Sequence, residues 1–359
     1  MNASRARATL FALAALFGLW ATAATSQGFA GLGADAQGFA LPERRALTFP
    51  QDHAAHPEFR IEWWYLTATL TARDGTPMGL QWTLFRSARA PDDTPGWQSA
   101  QTWMGHAALT TPDQHFVAER FARGGIGQAG ATLSPFAAWI DDWRFAGDND
   151  WQEMTLSARG DAFAYDVTLK AKGPLVAHGA AGYSVKSASG QASHYYSQPA
   201  FALSGTVQLP SGPVEVTGQA WVDREWSSQP LQDTQTGWDW FSLSFDTGDK
   251  LMGFGLREGA DRGFSSGTWI GADGRVTPFG DGAMTLIPQA ETSIANRRIP
   301  TTWRLRLPER DVDVTVRALN PAAWMPTVFP YWEGPVDVSG SHSGRGYLEM
   351  TGYPEETGK

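Results

Sequence analysis

The sequence predicts an all-β protein built of sandwiches or barrels in more than one domain, and three observations carry that expectation. Helical periodicity is almost absent after the N-terminal segment, whereas short runs of alternating apolar and polar residues bounded by Gly, Asp-Gly and Pro recur throughout. Of the 359 residues, 333 remain once the first 26 are set aside, which is more than one hydrophobic core usually holds. Finally, one aromatic hairpin pattern occurs twice, far apart in the chain.

The N-terminal segment reads as a secretory signal peptide. Arg5 and Arg7 precede an apolar run from Leu10 to Trp20, and small residues continue through Ser26, with Ala21-Thr22-Ala23-Ala24 offering an Ala-x-Ala cleavage site. The apolar run falls short of a bilayer span by roughly five residues, so stable membrane insertion is not expected. Export to the periplasm follows from this reading. With no cysteine, the chain has no thiol to acylate, no disulfide framework and no thiolate metal site. Removing two arginines takes the formal charge from -9 to -11, an acidic balance that argues against nucleic acid and anionic lipid surfaces as partners.

After residues 1–26 comes a Gly/Ala-rich stretch, and residues 27–45 read as a flexible leader. The alternating runs then begin, at Glu62 to Leu70, Met78 to Arg86, Phe163 to Lys170, Val214 to Val222, Trp238 to Phe245, Trp303 to Leu307 and Val312 to Val316. The repeat matches Trp64-Tyr65, a turn and Met78-Gly79-Leu80 running to Arg86 with Trp240-Phe241, a turn and Met252-Gly253-Phe254 running to Arg257. The two offsets, 176 and 174 residues, agree closely. If each copy opens its own barrel, the domains are 46–235 and 236–359, divided in the polar segment around Pro230.

The most informative run for chemistry is Val214 to Trp226. On a strand, Val214, Val216, Gly218, Ala220 and Val222 share one face, and Glu215, Thr217, Gln219, Trp221, Asp223 and Glu225 share the other. Two readings stay open for the second face: a solvated surface with Arg224 or another arginine pairing across strands, or the polar spot of a ligand cavity. Ser193-His194-Tyr195-Tyr196-Ser197 adds an imidazole beside two phenols, which is either structural or functional.

Seventeen tryptophans, several beside acids, exceed ordinary core use. Glu62-Trp63-Trp64, Glu225-Trp226 and Trp238-Asp239-Trp240 make Trp64, Glu62, Glu225, Trp226, Trp238 and Trp240 candidate ligand contacts. Carboxylates are natural acceptors for indole N–H groups, and aromatic faces line apolar pockets or stabilise a cation. The scattered histidines lack metal-ligand spacing, so no metal is expected. No nucleophile elbow, P-loop or dinucleotide fingerprint appears, so no cofactor is expected either.

Taken with Gly105-His-Ala-Ala-Leu109, Ala323-Trp-Met-Pro326, Tyr331-Trp-Glu-Gly334 and the stretch Gly340 to Gly352, these motifs resemble the AttH and carotenoid 1,2-hydratase family, also called hydroxyneurosporene synthase-like proteins. The resemblance spans most of the chain and implies two tandem lipocalin-like barrels enclosing an apolar ligand, an isoprenoid or lipid. In the hydratase branch a His-x-aromatic pair and an aromatic-x-Asp pair contribute to cofactor-free addition of water to an isoprenoid double bond. Those pairs match His194 with Tyr196 and Trp221 with Asp223. The pigment-forming hydratases carry Trp and Tyr at the positions matching Tyr196 and Trp221, and lack the Asp-Arg-Glu-Trp continuation, which places this chain nearer the exported AttH-like branch.

The implied chemistry needs a neutral carboxylic acid, aromatic faces for a tertiary carbocation and a held water. Asp223 would be the acid, Trp221 and Tyr196 the aromatic faces, and His194 the group on the water. Three classes of function follow: a hydratase-like enzyme, a non-catalytic lipid or polyene carrier working with an envelope ABC transporter, and a carbohydrate-active protein using Asp223 and Glu225. The last is weakened because residues i and i+2 of one strand lie only about 7 Å apart.

Overall fold

A computed structural model describes residues 37–229, 231, 234–258 and 261–356. The predicted signal peptide and the leader up to residue 36 lie outside the described residues. Two large antiparallel sheets account for the fold, and both are barrel-like. The first begins with β1 (Ile61–Ala72), β2 (Pro77–Ala88), β3 (Gln101–Thr110), β4 (His115–Arg123), β5 (Ala129–Leu133), β6 (Phe136–Ile140) and β7 (Trp143–Gly147). It continues through β8 (Glu153–Arg159), β9 (Ala164–Ala171), the short β10 (Val176–Ala177) and β11 (Tyr183–Val185), β12 (Ala192–Leu209) and β13 (Gly212–Ser227). Its order is β4-β3-β2-β1-β13-β12-β9-β8-β7-β6-β5, so the first strand lies beside the last. The two ends of that order meet: a Cβ on Gly105 of β3 would stand 2.8 Å from Ile140 of β6. The sheet is a nearly closed barrel.

The second sheet repeats the plan. It comprises β14 (Gln235–Phe245), β15 (Lys250–Glu258), β16 (Asp261–Ile270), β17 (Val276–Phe279), β18 (Thr285–Ile294), β19 (Arg297–Leu307), β20 (Val312–Ala318), β21 (Trp324–Met325), β22 (Tyr331–Gly340) and β23 (Gly344–Met350). The order β17-β16-β15-β14-β23-β22-β20-β19-β18 again sets the first strand between the second and the last. This sheet stays open, as a half-barrel.

Strand alternation decides what each barrel holds. Trp64, Leu66, Leu70, Leu80, Trp82 and Val222 point into the first barrel and join a core that also takes Trp143, Trp151 and Tyr196. Phe241, Leu243, Trp303, Leu305, Val336 and Leu348 fill the second. The opposite faces of β1, β2, β12, β13, β14 and β15 would be wet in an isolated barrel, and here they bury one another: Tyr65, Tyr195 and Trp221 pack with Trp240, Met252, Phe254 and Tyr347. The interior that was expected to enclose a ligand is instead packed with the molecule's own side chains. The repeated hairpins sit at equivalent places in the two sheets, but with a shift of one residue in facing. Trp64 points inward and Tyr65 outward in the first copy, whereas Trp240 faces the other sheet and Phe241 points inward in the second.

The end of the first barrel is plugged by the chain from Ala40 to Arg60. Ala40 N–H bonds to Glu58 O at 2.9 Å, and Arg45 forks onto both oxygens of Asp52 at 2.8 and 2.7 Å. Beneath this plug lies Glu62, fully buried, which accepts hydrogen bonds from Arg86 Nε, Arg224 Nη2 and the His56 backbone N–H. Arg86 also donates to the carbonyls of His56 and Phe59, and the Arg224 guanidinium lies 3.8 Å above the Trp64 ring. Trp226 stacks on His56 with ring centroids 4.0 Å apart. Glu62, Trp64 and Trp226, expected as ligand contacts, are therefore architecture, because their positions on β1 and β13 point into the barrel. Desolvation opposes ionisation of Glu62, but Arg86 and Arg224 hold its carboxyl well below the usual range.

Removing one partner from such a network strands buried charge, so Glu62→Gln is expected to cost about 3–5 kcal/mol of stability in urea unfolding. A depressed folded pKa means this stabilisation is present above the unfolded value, about 4.3, and is lost as pH falls toward the folded one. The gap between wild type and Glu62→Gln should accordingly narrow on acidification.

Candidate functional site

Between the two sheets, outside both barrels, the facing surfaces leave a cavity with about 140 Å³ of free volume, walled mainly by apolar groups. An enclosed apolar space on the order of 150 Å³ takes a benzene-sized group. Ile61, Trp63 and Tyr65 come from β1, Thr83 and Phe85 from β2, and Trp238 and Trp240 from β14. These are alternate residues, as a cavity on one face of a pleated sheet requires. Asp223 and Glu225 of β13 and Glu349 of β23 bring three carboxyl groups to this largely apolar wall.

Asp223 is the most constrained of the three. Its Oδ1 accepts from Trp221 Nε1 at 2.7 Å and from Ser197 Oγ, and its Oδ2 from Tyr195 Oη at 2.9 Å. Behind Ser197 stands His178, Nε2 to Oγ 2.6 Å, whose Nδ1 is 2.9 Å from Thr268 Oγ1 of the second sheet. Burial lowers His178 to about 3, so the ring is neutral and carries one N–H. The consistent assignment runs Thr268 O–H to Nδ1, Nε2–H to Ser197 and Ser197 O–H to Asp223 Oδ1. With two donors fixed on Oδ1, the proton of a neutral Asp223 belongs on Oδ2. Desolvation raises Asp223 to about 7, against the hydrogen bonds from Ser197, Trp221 and Tyr195 that favour its charged form.

Glu349 is the counterpart on the other sheet. Across β1 and β13, Tyr65 pairs with Asp223; across β14 and β23, Trp240 pairs with Glu349. Each acid thus stands on the last strand of its sheet, opposite a cavity-facing aromatic of the first. Burial is again the largest cause lifting Glu349 to about 7, with Asp223 and Glu225 adding to it, while Trp238 Nε1 donates to Oε1 at 2.6 Å. Glu225 is instead engaged by Lys186 Nζ at 2.8 Å and by Ser193 Oγ, and Lys186 spans the rings of Tyr195 and Phe254 at 4.5 and 4.4 Å.

Of the residues singled out from the sequence, Asp223, Glu225, Trp238 and Trp240 line the cavity. Trp221 lies behind Asp223 and holds its Oδ1, rather than facing the cavity with its ring. His194 and Tyr196 occupy the opposite face of β12, because residues 193, 195 and 197 take the cavity side. His194 stacks on Trp226 and meets Phe59 edge-on, and burial lowers it to about 4. Tyr196 Oη is 2.5 Å from His53 Nδ1 under the plug. The phenol near Asp223 is Tyr195 and the imidazole is His178. Tyr195 was within reach of the alternation rule, and Glu349 of the repeat, which places an acid on each last strand. His178 carries no local signal.

A carboxyl with a raised folded pKa costs stability wherever the unfolded chain would ionise it. At pH 4 and below the cost is absent; it grows as pH rises to about 7 and is constant above, reaching on the order of 4 kcal/mol at about 1.4 kcal/mol per pK unit. Asp223→Asn lacks this cost, so its stability relative to wild type should improve between pH 4 and 7 in chemical denaturation and then level off. A pH-independent difference would show that Asp223 is not held neutral.

A family model described as AttH-like matches residues 40–353. Among solved structures, an AttH from Nitrosomonas europaea is 31% identical with a TM-score of 0.78, covering 88% of this chain and 99% of its own. Kievitone hydratase from Nectria haematococca has 13% identity and a TM-score of 0.66, covering 89% and 98%. CghA, solved with Sch210972, has 12% identity and a TM-score of 0.52, covering 90% and 98%. The last two share the fold. No curated protein matches the chain in sequence.

Proposed function

Because the chain belongs to the AttH-like family and has the fold of a hydratase, we propose that it is a cofactor-free hydro-lyase acting on an apolar isoprenoid or lipid double bond. The observation that carries this reading is Asp223, a carboxyl raised to about 7 in an aromatic cavity with Oδ1 already occupied by fixed donors. Such a group is neutral over much of the working range and has one oxygen left to give a proton. The cavity volume suits one end of an isoprenoid, a branched terminal unit, rather than a whole polyene.

In this reaction Asp223 Oδ2 gives its proton to the less substituted alkene carbon. The π pair forms the new C–H bond, and a tertiary cation is left beside the rings of Trp63, Tyr65 and Trp240. Water adds to the cation, and the oxonium proton passes to the second carboxyl, Glu349. Tyr195, which donates to Asp223 Oδ2 and accepts from Trp240 Nε1 at 3.1 Å, fixes the orientation of the acid. Dehydration is the same path reversed. Export to the periplasm belongs to the same proposal and is supported by the N-terminal sequence.

The test is incorporation of ¹⁸O from labelled water into isoprenoid alkenes bearing a terminal isopropylidene group. Asp223→Asn should lower turnover by about 10²–10⁴-fold with binding of the alkene retained. Full turnover in that variant would refute the acid assignment. Activity should be bell-shaped about pH 7, falling above it as Asp223 ionises and below it as Glu349 is protonated. His194→Ala should leave the rate within about threefold of wild type, since its ring faces away from the acid; a loss matching that of Asp223→Asn would place the chemistry on the other face of β12.

A further inference from the structure

A second line of polar groups leaves the cavity at Glu349 and runs to the surface, crossing between the two sheets at three of its five steps. The Tyr65 hydroxyl, from the first sheet, donates to Glu333 of the second and lies beside Glu349, also of the second. Tyr331 lies beside Glu333. Tyr331 Oη lies 3.0 Å from His106 Nδ1, back in the first sheet, and His106 Nε2 lies 3.1 Å from Glu119 Oε1. Tyr65, Glu333, Tyr331 and His106 are all buried, while the Glu119 side chain is 19% exposed. We propose that this line conducts protons between the cavity and the surface, so that Glu349 exchanges its proton with solvent while a ligand fills the cavity.

The donors and acceptors fit one direction throughout. Glu119 accepts the Val328 backbone N–H at 3.1 Å and acts as an acceptor toward His106 as well, so the imidazole presents Nε2–H to it. Burial lowers His106, so its ring is neutral and Nδ1 is free to accept from the Tyr331 hydroxyl. Tyr331 then accepts from Glu333, Glu333 accepts from Tyr65, and Tyr65 accepts from Glu349. This requires both glutamates to carry protons. Burial raises both, and Glu333 Oε2, which makes no hydrogen bond among the described residues, is the oxygen left to carry a proton toward Tyr331; a neutral carboxyl tolerates that position far better than an ionised one.

Both phenols are also held far above their ordinary range by burial, so phenolate is not a stopping point and the protons shift together. Each step breaks one O–H or N–H bond as the next forms. The net change is one proton taken from Glu349 and one delivered at Glu119, with every donor in the line reversed. The reason for such a line rests on the proposed reaction: hydration loads Glu349 with a proton at the moment when product still occupies the cavity.

The line itself can be tested without substrate. Infrared spectroscopy after transfer to D₂O reads exchange as a downshift of the protonated carboxyl band, assigned to Glu333 by its loss in Glu333→Gln. Tyr65→Phe cuts Glu333 from Glu349 and leaves only the outer arm, and Tyr331→Phe cuts that arm. Exchange of Glu333 in Tyr65→Phe should stay within about threefold of wild type and fall by about tenfold or more when Tyr331→Phe is added. His106→Gln in place of Tyr331→Phe should do the same, since an amide keeps a hydrogen bond but cannot take a proton on one side and release one on the other. The proposal is overturned if Glu333 has no protonated band, if Tyr65→Phe alone isolates it, or if the double variants exchange as fast as Tyr65→Phe. Because turnover does not enter this measurement, failure of the hydratase reading and failure of the proton line give different results.

Discussion

Everything of chemical interest in this protein depends on one packing contact, the burial of the outer face of the first barrel against the outer face of the second sheet. A lone antiparallel barrel presents alternate residues to water. Here β1 and the second half of β13, from Ala220 to Ser227, are buried on both faces. The contact also supplies the dry surroundings without which Asp223, Glu333 and Glu349 would be ordinary surface carboxylates.

Strand β13 shows how sharply alternation sorts chemistry. Arg224 points into the barrel and joins Arg86 in holding Glu62 ionised. One residue earlier, Asp223 points to the seam, where its donors are the neutral Tyr195, Ser197 and Trp221, and its carboxyl is raised to about 7. Both acids are fully surrounded by protein. What separates their protonation states is the charge of the partner, since neutral hydrogen bonds do not offset desolvation and paired arginines do.

The fold class was legible because period-two runs, turn residues and the duplicated hairpin all gave the same answer. The face of β13 carrying Trp221, Asp223 and Glu225 was legible for the same reason. Legibility failed by one residue at β12, where the resemblance pointed to His194 and Tyr196, and on a strand one residue is the difference between two faces. The same one-residue error aligned Trp64 with Trp240, although Tyr65 and Trp240 occupy the equivalent cavity positions. Glu62, Trp64 and Trp226 could not be told from cavity residues, because an acid beside a tryptophan looks alike whether its partner is a ligand or a buried arginine. Glu333 and Tyr331 meet Tyr65 and His106, and His178 meets Thr268, only when the two sheets come together, and no local pattern encodes contacts between residues 90 to 268 positions apart.

The matched strand orders, with the first strand between the second and the last in both sheets, have a historical consequence. A single ancestral unit could have made this seam only by pairing with its own copy about a twofold axis, with identical acids facing one another across it. Symmetry would have bound the two acids to one identity and one set of neighbours. Joining the copies in one chain released that bond. One position is an aspartate held by Trp221, Ser197 and Tyr195, the other a glutamate held by Trp238, so two acids in one chain are free to divide a labour that symmetry would deny them.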